Sequence, residues 1–274
     1  MSLWERVMED IDGIHIDAIK ITDLYSDGRT IRFRTEVDVK TPDGLYRGQS
    51  YMKHPGNKTR VWPDYYKALT GKETVKVLDG LANSGNIQDI VLSTAVISAI
   101  YSPKVQSWPH KYEGDVTDRV TKGDSVLFVD NYRTDCTIRR PLNKFISKMI
   151  ANDPEEVHVL KDGKIYGVGT ATRKMTELDM NPKDISPDII FLDNCFCPSI
   201  KQMDGSLTEL SGLLKYELCR DVVLFGPSIA IDPAMLKGCK KPCITAYATS
   251  NYDFGDIDGG SKQHGKKRKM ILML

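Results

Sequence analysis

Two cysteines, Cys195 and Cys197, stand just after the apolar run SPDIIFLDN. Neighbouring thiolates are donors for a soft or borderline ion such as Zn(II) or Cu(I). On an extended strand, residues two apart share a face but are spread along it. Joint chelation therefore needs a turned chain, which Pro198 favours. Cys239 and Cys243 bracket Lys240, Lys241 and Pro242, and Cys136 follows a second apolar run, DSVLFVD. Each cysteine equally fits a small buried gap, a common place for a free thiol.

Asp130 and Asn131 end the first of these runs, and Asp193 and Asn194 end the other. The repeated Asp-Asn pair is able to line one crevice or to cap the turns that follow. Gly226, Pro227 and Ser228, ahead of Asp232 and Pro233, put a glycine turn between a strand and a helix start. Such a turn either presents free amides to an anionic group or simply makes a tight connection. Arg133, Arg139, Arg140 and Lys144 follow the first run. They suit a carboxylate or phosphate, and cations are otherwise unfavourable at a helix N-terminus. The five histidines (His15, His54, His110, His158 and His264) form no HExxH, and no P-loop or Ser-His-Asp order is present. His15 and His158 alternate with apolar neighbours and read as solvent-facing strand residues. His54 and His110 fall in Pro-rich loops.

The elements that carry these residues follow from periodicity. Ser2 to Asp10 reads as a helix capped by Ser2, with Leu3, Trp4, Val7 and Met8 on one face. HIDAIKITDLY and TIRFRTEVDV alternate around SDGR and predict an antiparallel hairpin. Residues 41–70, rich in Pro, Gly and Tyr, read as loops with at most a short strand. Two helices follow, the second (NIQDIVLSTAVISAIYS) apolar nearly all round and ended by Pro103, and residues 103–122 read as a linker. From Lys122, apolar runs alternate with helical patterns: DSVLFVD, RPLNKFISKMIAND, EEVHVL, SPDIIFLDN, SLTELSGLLKYEL, DVVLFGPS, DPAMLKGC, ITAYAT and the closing strand KMILML. That rhythm predicts a mostly parallel sheet with right-handed crossovers.

At 274 residues the chain makes one large domain or two ordinary ones. Lys plus Arg number 38 against 37 Asp plus Glu, so a net charge of +1 gives no support to a general polyanion-binding role. The basic run Lys262, Lys266, Lys267, Arg268 and Lys269 lacks interleaved aromatics and reads as a solvated hairpin turn, so nucleic acid is not expected as a partner. With 41% hydrophobic and 27% charged residues, the composition excludes disordered and collagen-like chains. No apolar stretch approaches the roughly 20 residues of a membrane span. The acidic, amphipathic N-terminus is unlike a signal peptide, so a cytoplasmic location with no membrane partner is expected. Six cysteines are too few for a disulfide scaffold and are expected to stay reduced.

The stretches ETVKVLDGLANSGNIQDIVLSTAVISAI, SPDIIFLDN, DGSLTELSGLL and DVVLFGPSIAIDPAMLKG resemble those of the heavy-metal chelation family, a family of uncharacterised bacterial and archaeal proteins. The resemblance implies an α/β protein with an α+β enolase-N-terminal-like domain over residues 1–110 and a doubly wound Rossmann-like domain over 120–274. The chain departs from the family after the first Rossmann strand, where FVDNYRTDCTIRRP has no glycine. A dinucleotide fingerprint needs glycine there so that backbone can approach the pyrophosphate, and NAD is not expected. After SPDIIFLD, relatives have small hydroxyl residues and glycine where this chain has Asn194, Cys195, Phe196 and Cys197. The reading that follows is the binding or handling of a transition metal ion (Zn, Cu or another) or a metal complex in the cleft between the two domains. The alternative is an enzyme acting on a small anionic metabolite there, with Arg133, Asp130 or Asp193 in binding or proton transfer. A homodimer is the assembly considered with either.

Overall fold

The computed structural model describes residues 1–16, 18–23, 31–41, 44–54, 69, 71–84, 87–130, 139–161, 163–193, 219–226, 231–237, 246–251 and 268–274. Helix α1 (Leu3–Asp10) begins with a reciprocal capping box. Ser2 Oγ accepts the Glu5 amide at 3.1 Å, and Glu5 Oε2 accepts the Ser2 amide at 2.7 Å. Its buried face is Leu3, Val7 and Met8.

Strands β1 (Ala18–Asp23), β2 (Ile31–Thr41) and β3 (Gly44–His54) form a three-stranded antiparallel sheet with β2 in the centre. The hairpin of β1 and β2 is the expected one; its SDGR turn lies outside the described residues. β3 is eleven residues long and paired with β2 throughout, from Thr41 opposite Gly44 to Ile31 opposite His54. Its two glycines disguise it as loop in the sequence, and one of them has a packing reason. At Gly48 the backbone of helix α3 (Ile87–Gln106) comes so close that a Cβ would stand 1.9 Å from the Ala95 carbonyl oxygen. Helix α3 packs on β2 and β3, and α2 (Thr74–Asn83) packs on α3. Asp38, only 6% exposed, is paired across the strands with Arg47 through two hydrogen bonds of 2.7 and 3.1 Å.

Pro103 does not end α3. It sits in the last turn, where a missing amide costs one helical hydrogen bond. That turn continues through Ser107 N donating to the Pro103 carbonyl at 2.9 Å and is held by the buried Val105. Nor is the stretch 103–122 an open linker. β4 (Lys111–Glu113) pairs with the C-terminal strand, and a 3-10 turn over Val116–Arg119, capped by Asp115, buries Val116 and Thr117.

The large sheet has nine strands in the order β4-β12-β11-β10-β9-β5-β6-β7-β8. Its five central strands are mutually parallel: β11 (Ala246–Asn251), β10 (Asp221–Gly226), β9 (Ile189–Asp193), β5 (Ser125–Asp130) and β6 (Glu156–Lys161). The flanks are antiparallel, with β12 (Arg268–Met273) and β4 on one side and β7 (Lys164–Val168) and β8 (Met175–Leu178) on the other. The sheet is therefore mixed rather than mostly parallel, within an overall α/β fold. The hairpin of β7 and β8 is an addition to the sequence reading: its short strands have mostly exposed or half-exposed residues, and Gly163 turns the chain into it with φ at 74°.

Strands β5, β6, β9 and β10 are buried on both faces, which explains their apolar runs. Leu127, Val129, Ile190, Leu192, Val222 and Leu224 share one continuous core with α1, α2 and α3. Val126, Phe128, Val157, Phe191 and Val223 face the other side, with Ile146 and Met149 of helix α4 (Arg139–Ile150). There Phe145 lies 5.4 Å, centroid to centroid, from both Phe128 and Phe191. Helix α5 (Pro233–Lys237) starts at Asp232, whose Oδ1 accepts the Ala234 amide at 2.9 Å. The helix expected over SLTELSGLLKYEL lies outside the described residues.

Candidate functional site

The carboxyl ends of the central strands are where an open α/β sheet leaves room for a ligand, at the point where successive connections run to opposite sides. That point falls between β5 and β9. From β5 the chain proceeds outward through α4 to β6, and β9 lies on the other side of β5 and leads outward to β10 and β11. The register sets Asp130 opposite Asp193 across this switch, with Lys161 opposite Asp130 on the far side of β5. Asp193 is opposite Phe225 of β10, and Gly226 is opposite Thr249 of β11. Three of the positions singled out in sequence, Asp130, Asp193 and Gly226, thus end three adjacent parallel strands on one edge.

Asn131, Arg133, Asn194, Cys195, Cys197, Pro227 and Ser228 lie outside the described residues, as do Cys136, Cys239, Cys243, His264 and Lys262 to Lys267. The chain enters these segments directly from Asp130, Asp193 and Gly226. Among the described residues, no group of three His, Cys, Asp or Glu side chains is placed to hold a metal ion. Helix α5 is short; the Ala234 amide donates to the Asp232 carboxylate and the Met235 amide to the Asp232 carbonyl.

The described cysteine, Cys219, precedes β10 at the opposite edge. Its Sγ donates to the carbonyls of Asp188 and Asp221 at 3.3 and 3.0 Å, and burial pushes its thiol up to about 11. It is a protonated packing residue at neutral pH. His15 is exposed as expected, and so is His110, whose carbonyl accepts the Met273 amide at 3.0 Å. His54 ends β3 in register with Ile31. His158 corrects the expectation of a solvent-facing residue. It is 7% exposed because the face it shares with Leu160 is covered by the core, and its Nδ1 has no hydrogen-bond partner among the described residues, with Glu156 Oε1 3.8 Å away.

At the edge where Cys219 lies, two arginines and two aspartates form one network. Arg220 grips Asp124 with bonds of 2.8 and 2.9 Å and reaches Asp221 Oδ2 at 3.1 Å. Arg119 holds the other oxygen of Asp221 at 2.6 Å. The Arg220 guanidinium is the largest influence keeping the Asp124 carboxyl below its ordinary range, and Thr121 adds to it against the opposing effect of burial. Both carboxylates of this network, Asp124 and Asp221, are paired with an arginine.

Sequence reading missed a second cluster, Asp10, Tyr101, Lys104 and Asp232. Tyr101 Oη and Lys104 Nζ both donate to Asp10 Oδ2, at 2.8 and 2.9 Å. The signal was available: Tyr101 and Lys104 are three residues apart on α3, and so share a face.

No protein-family model matches the chain, and no curated protein does. The fold is similar to that of a protein of unknown function from the DUF364 family of Desulfitobacterium hafniense DCB-2. The TM-score is 0.53 over 99% of this chain and 98% of that one, at 12% identity. At that identity the likeness is one of fold, to a member of an uncharacterised family. No helix among the described residues is long and apolar enough to cross a membrane.

Proposed function

We propose that the protein binds a metal ion or metal complex at the carboxyl edge of its large sheet, in a cleft between an enolase-N-terminal-like unit (residues 1–110) and a Rossmann-like unit (120–274). One observation carries the reading: Asp130 and Asp193 end neighbouring parallel strands in register, at the topological switch. Asp193 is followed within four residues by Cys195 and Cys197. A donor set of carboxylate and thiolate suits Zn(II) among common ions, with Cu(I) favoured if the thiolates dominate. The separate three-stranded sheet with α2 and α3 supports the division into two units, which one continuous hydrophobic core joins. NAD is left out of the proposal because the β5 to α4 connection lacks glycine.

The test is metal analysis of protein purified without oxygen, with anaerobic titration of Zn(II) and Cu(I) into the wild type and a Cys195→Ser, Cys197→Ser variant. Stoichiometric uptake that strengthens with pH and is lost in the variant, with the fold unchanged, is the expected outcome, because the ion must displace thiol protons. A wild type that holds no metal and takes up neither ion refutes it.

One observation favours a second reading, a site for a small anionic metabolite. Helix α4 follows β5 with Arg139 and Arg140 in its first turn, so its N-terminus serves the same edge as Asp130. Saturable binding of inorganic phosphate in calorimetry, without metal uptake, would favour that reading.

A further inference from the structure

The amino edge of the large sheet holds a buried histidine outside the candidate site. His158 is the third residue of β6, and Glu156, His158 and Leu160 share one face of that strand. The His158 side chain is 9% exposed and that of Glu156 50%. Its Nδ1 is buried with no hydrogen-bond partner among the described residues, and the Glu156 carboxylate stands 3.8 Å away, beyond hydrogen-bond reach. A buried polar atom left so is rare enough to need a reason. Among the described residues, the neighbouring strands add no second charge to this face. β5 sets Ser125 and Leu127 beside Glu156 and His158, and β7 sets Gly167 and Ile165 beside His158 and Leu160. Thr176 and Leu178 of β8 come next. Lys164 and Glu177 of that hairpin belong to the opposite face, where they pair at 2.7 Å. Leu127, Leu160, Ile165 and Ile185 share the apolar core on the His158 side, and Lys183 and Asp184, ahead of Ile185, are exposed.

Polar contacts already cross three strands at this edge. Asp188, just ahead of β9, accepts the Ser125 amide through Oδ2 at 2.8 Å, and Ser125 Oγ donates to Glu156 Oε1 at 2.6 Å. The series stops one step short of His158. A neutral imidazole has one donor and one acceptor nitrogen, whereas an imidazolium donates from both. A proton taken up from water therefore leaves Nδ1 with an N–H whose nearest acceptor is Glu156 Oε1. The half-exposed Glu156 is the partner able to move, and a shift of about 1 Å brings the pair to a charge-assisted hydrogen bond. A carboxylate has lone pairs for both donors, so the Ser125 bond is kept.

We propose that His158 is a proton-operated latch: protonation at Nδ1 joins it to Glu156 and completes a side-chain bridge over β9, β5 and β6. With the ring neutral, Nδ1 is unsatisfied, and the start of β6 is held by its backbone ladder and the Ser125 bond. The latch lies at the opposite end of β5 and β9 from Asp130 and Asp193, and it does not rest on the metal-site reading.

The experiment makes two measurements on the intact protein, as wild type, Glu156→Gln and His158→Gln. Nitrogen NMR spectra of the histidine rings follow protonation of His158 across the pH range in which the protein is folded. Amide hydrogen exchange, corrected for the intrinsic rate at each pH, then compares residues 157–159 below and above that protonation, with Phe191 and Val223 as reference. In the wild type, corrected exchange at 157–159 should be about three- to fivefold slower with the ring protonated, and the reference amides should not change. Glu156→Gln keeps an acceptor for Ser125 and removes the anion. Its His158 ring should protonate only at lower pH than in the wild type, and the effect on exchange should fall below about twofold. His158→Gln should show no such effect. Glu156 is half-exposed, so Glu156→Gln decides the matter even if His158→Gln does not fold. A wild-type ring that takes up no proton while the protein is folded overturns the latch. So does exchange that ignores the ring's protonation, that slows equally at Phe191 and Val223, or that responds as strongly in Glu156→Gln.

Discussion

An alanine at position 48 tests the close approach of α3 to β3. Its methyl carbon would stand 1.9 Å from the Ala95 carbonyl oxygen, 2.4 Å from the Ala99 nitrogen and 2.9 Å from the Ala99 Cα. All three are backbone atoms, so no rotamer relieves the clash and α3 must withdraw from β3. Ordinary contact begins at 3.4 Å, so the retreat is about 1.5 Å. Leu92, Ala95, Val96 and Ala99 are all fully buried in that layer and would lose their fit together. Overpacking of a rigid site costs about 1–3 kcal/mol, and with the loosened layer we expect about 3 kcal/mol for Gly48→Ala. The matched control is Gly80, exposed in α2 with nothing within 4 Å of a built Cβ. There alanine should stabilise by about 0.5–1 kcal/mol through helix propensity. Urea unfolding followed by far-UV circular dichroism reads both, and the thermal midpoint should fall by about 6 °C in the first variant. If Gly48→Ala matches or exceeds the parent, the close approach of α3 to β3 is wrong.

Asp124 gives the acid limb of stability a definite origin. Its folded pKa is depressed below the unfolded value near 3.8, so its contribution is present above that value and is lost as pH falls through the folded one. Asp124→Asn should be less stable by about 1–2 kcal/mol at pH 7, discounted for the half-exposed Arg220, and the gap to the wild type should narrow as pH falls below the unfolded value and close below the folded one. Equal losses from pH 7 to pH 3 in both proteins would count against it. Cys219, with its thiol near 11, should alkylate with iodoacetamide at pH 8 about a hundredfold more slowly than free cysteine. Peptide mass mapping measures this, and a rate equal to free cysteine would contradict the burial.

Elements with a local cause were legible in the sequence. Ser2 and Glu5 make a capping box by themselves, and the alternation of TIRFRTEVDV needs only one covered face to become β2. The failures share a different cause, since each depended on partners distant in the chain. β3 reads as loop until α3 is known to need a glycine beneath it. Residues 111–113 become a strand only because β12 offers them an edge, and Val105 keeps α3 going past Pro103 through packing. His158 has the spacing of an outward residue, but both faces of a central sheet are covered. For the candidate site, the ends of the apolar runs placed Asp130 and Asp193 on strand tips. Strand order, which no local pattern encodes, is what makes those two tips neighbours at the switch.

The position of β12 has a consequence for how the protein is made. Lys111 pairs with Leu272, a separation of about 160 residues, and this last strand lies between β4 and β11 rather than at the rim. A ribosome adding about 5–20 residues per second needs about 8–30 s to deliver the partner. Throughout that interval the emerging chain presents β4 without its partner β12, and β11, once it has emerged, has one side open until β12 follows. The α3 helix and its three-stranded sheet are complete long before then. The nascent chain therefore passes through a stage with a complete three-stranded sheet and an unfinished margin of the large one. That margin is where a chaperone, or a neighbouring nascent chain, would first find exposed strand edges.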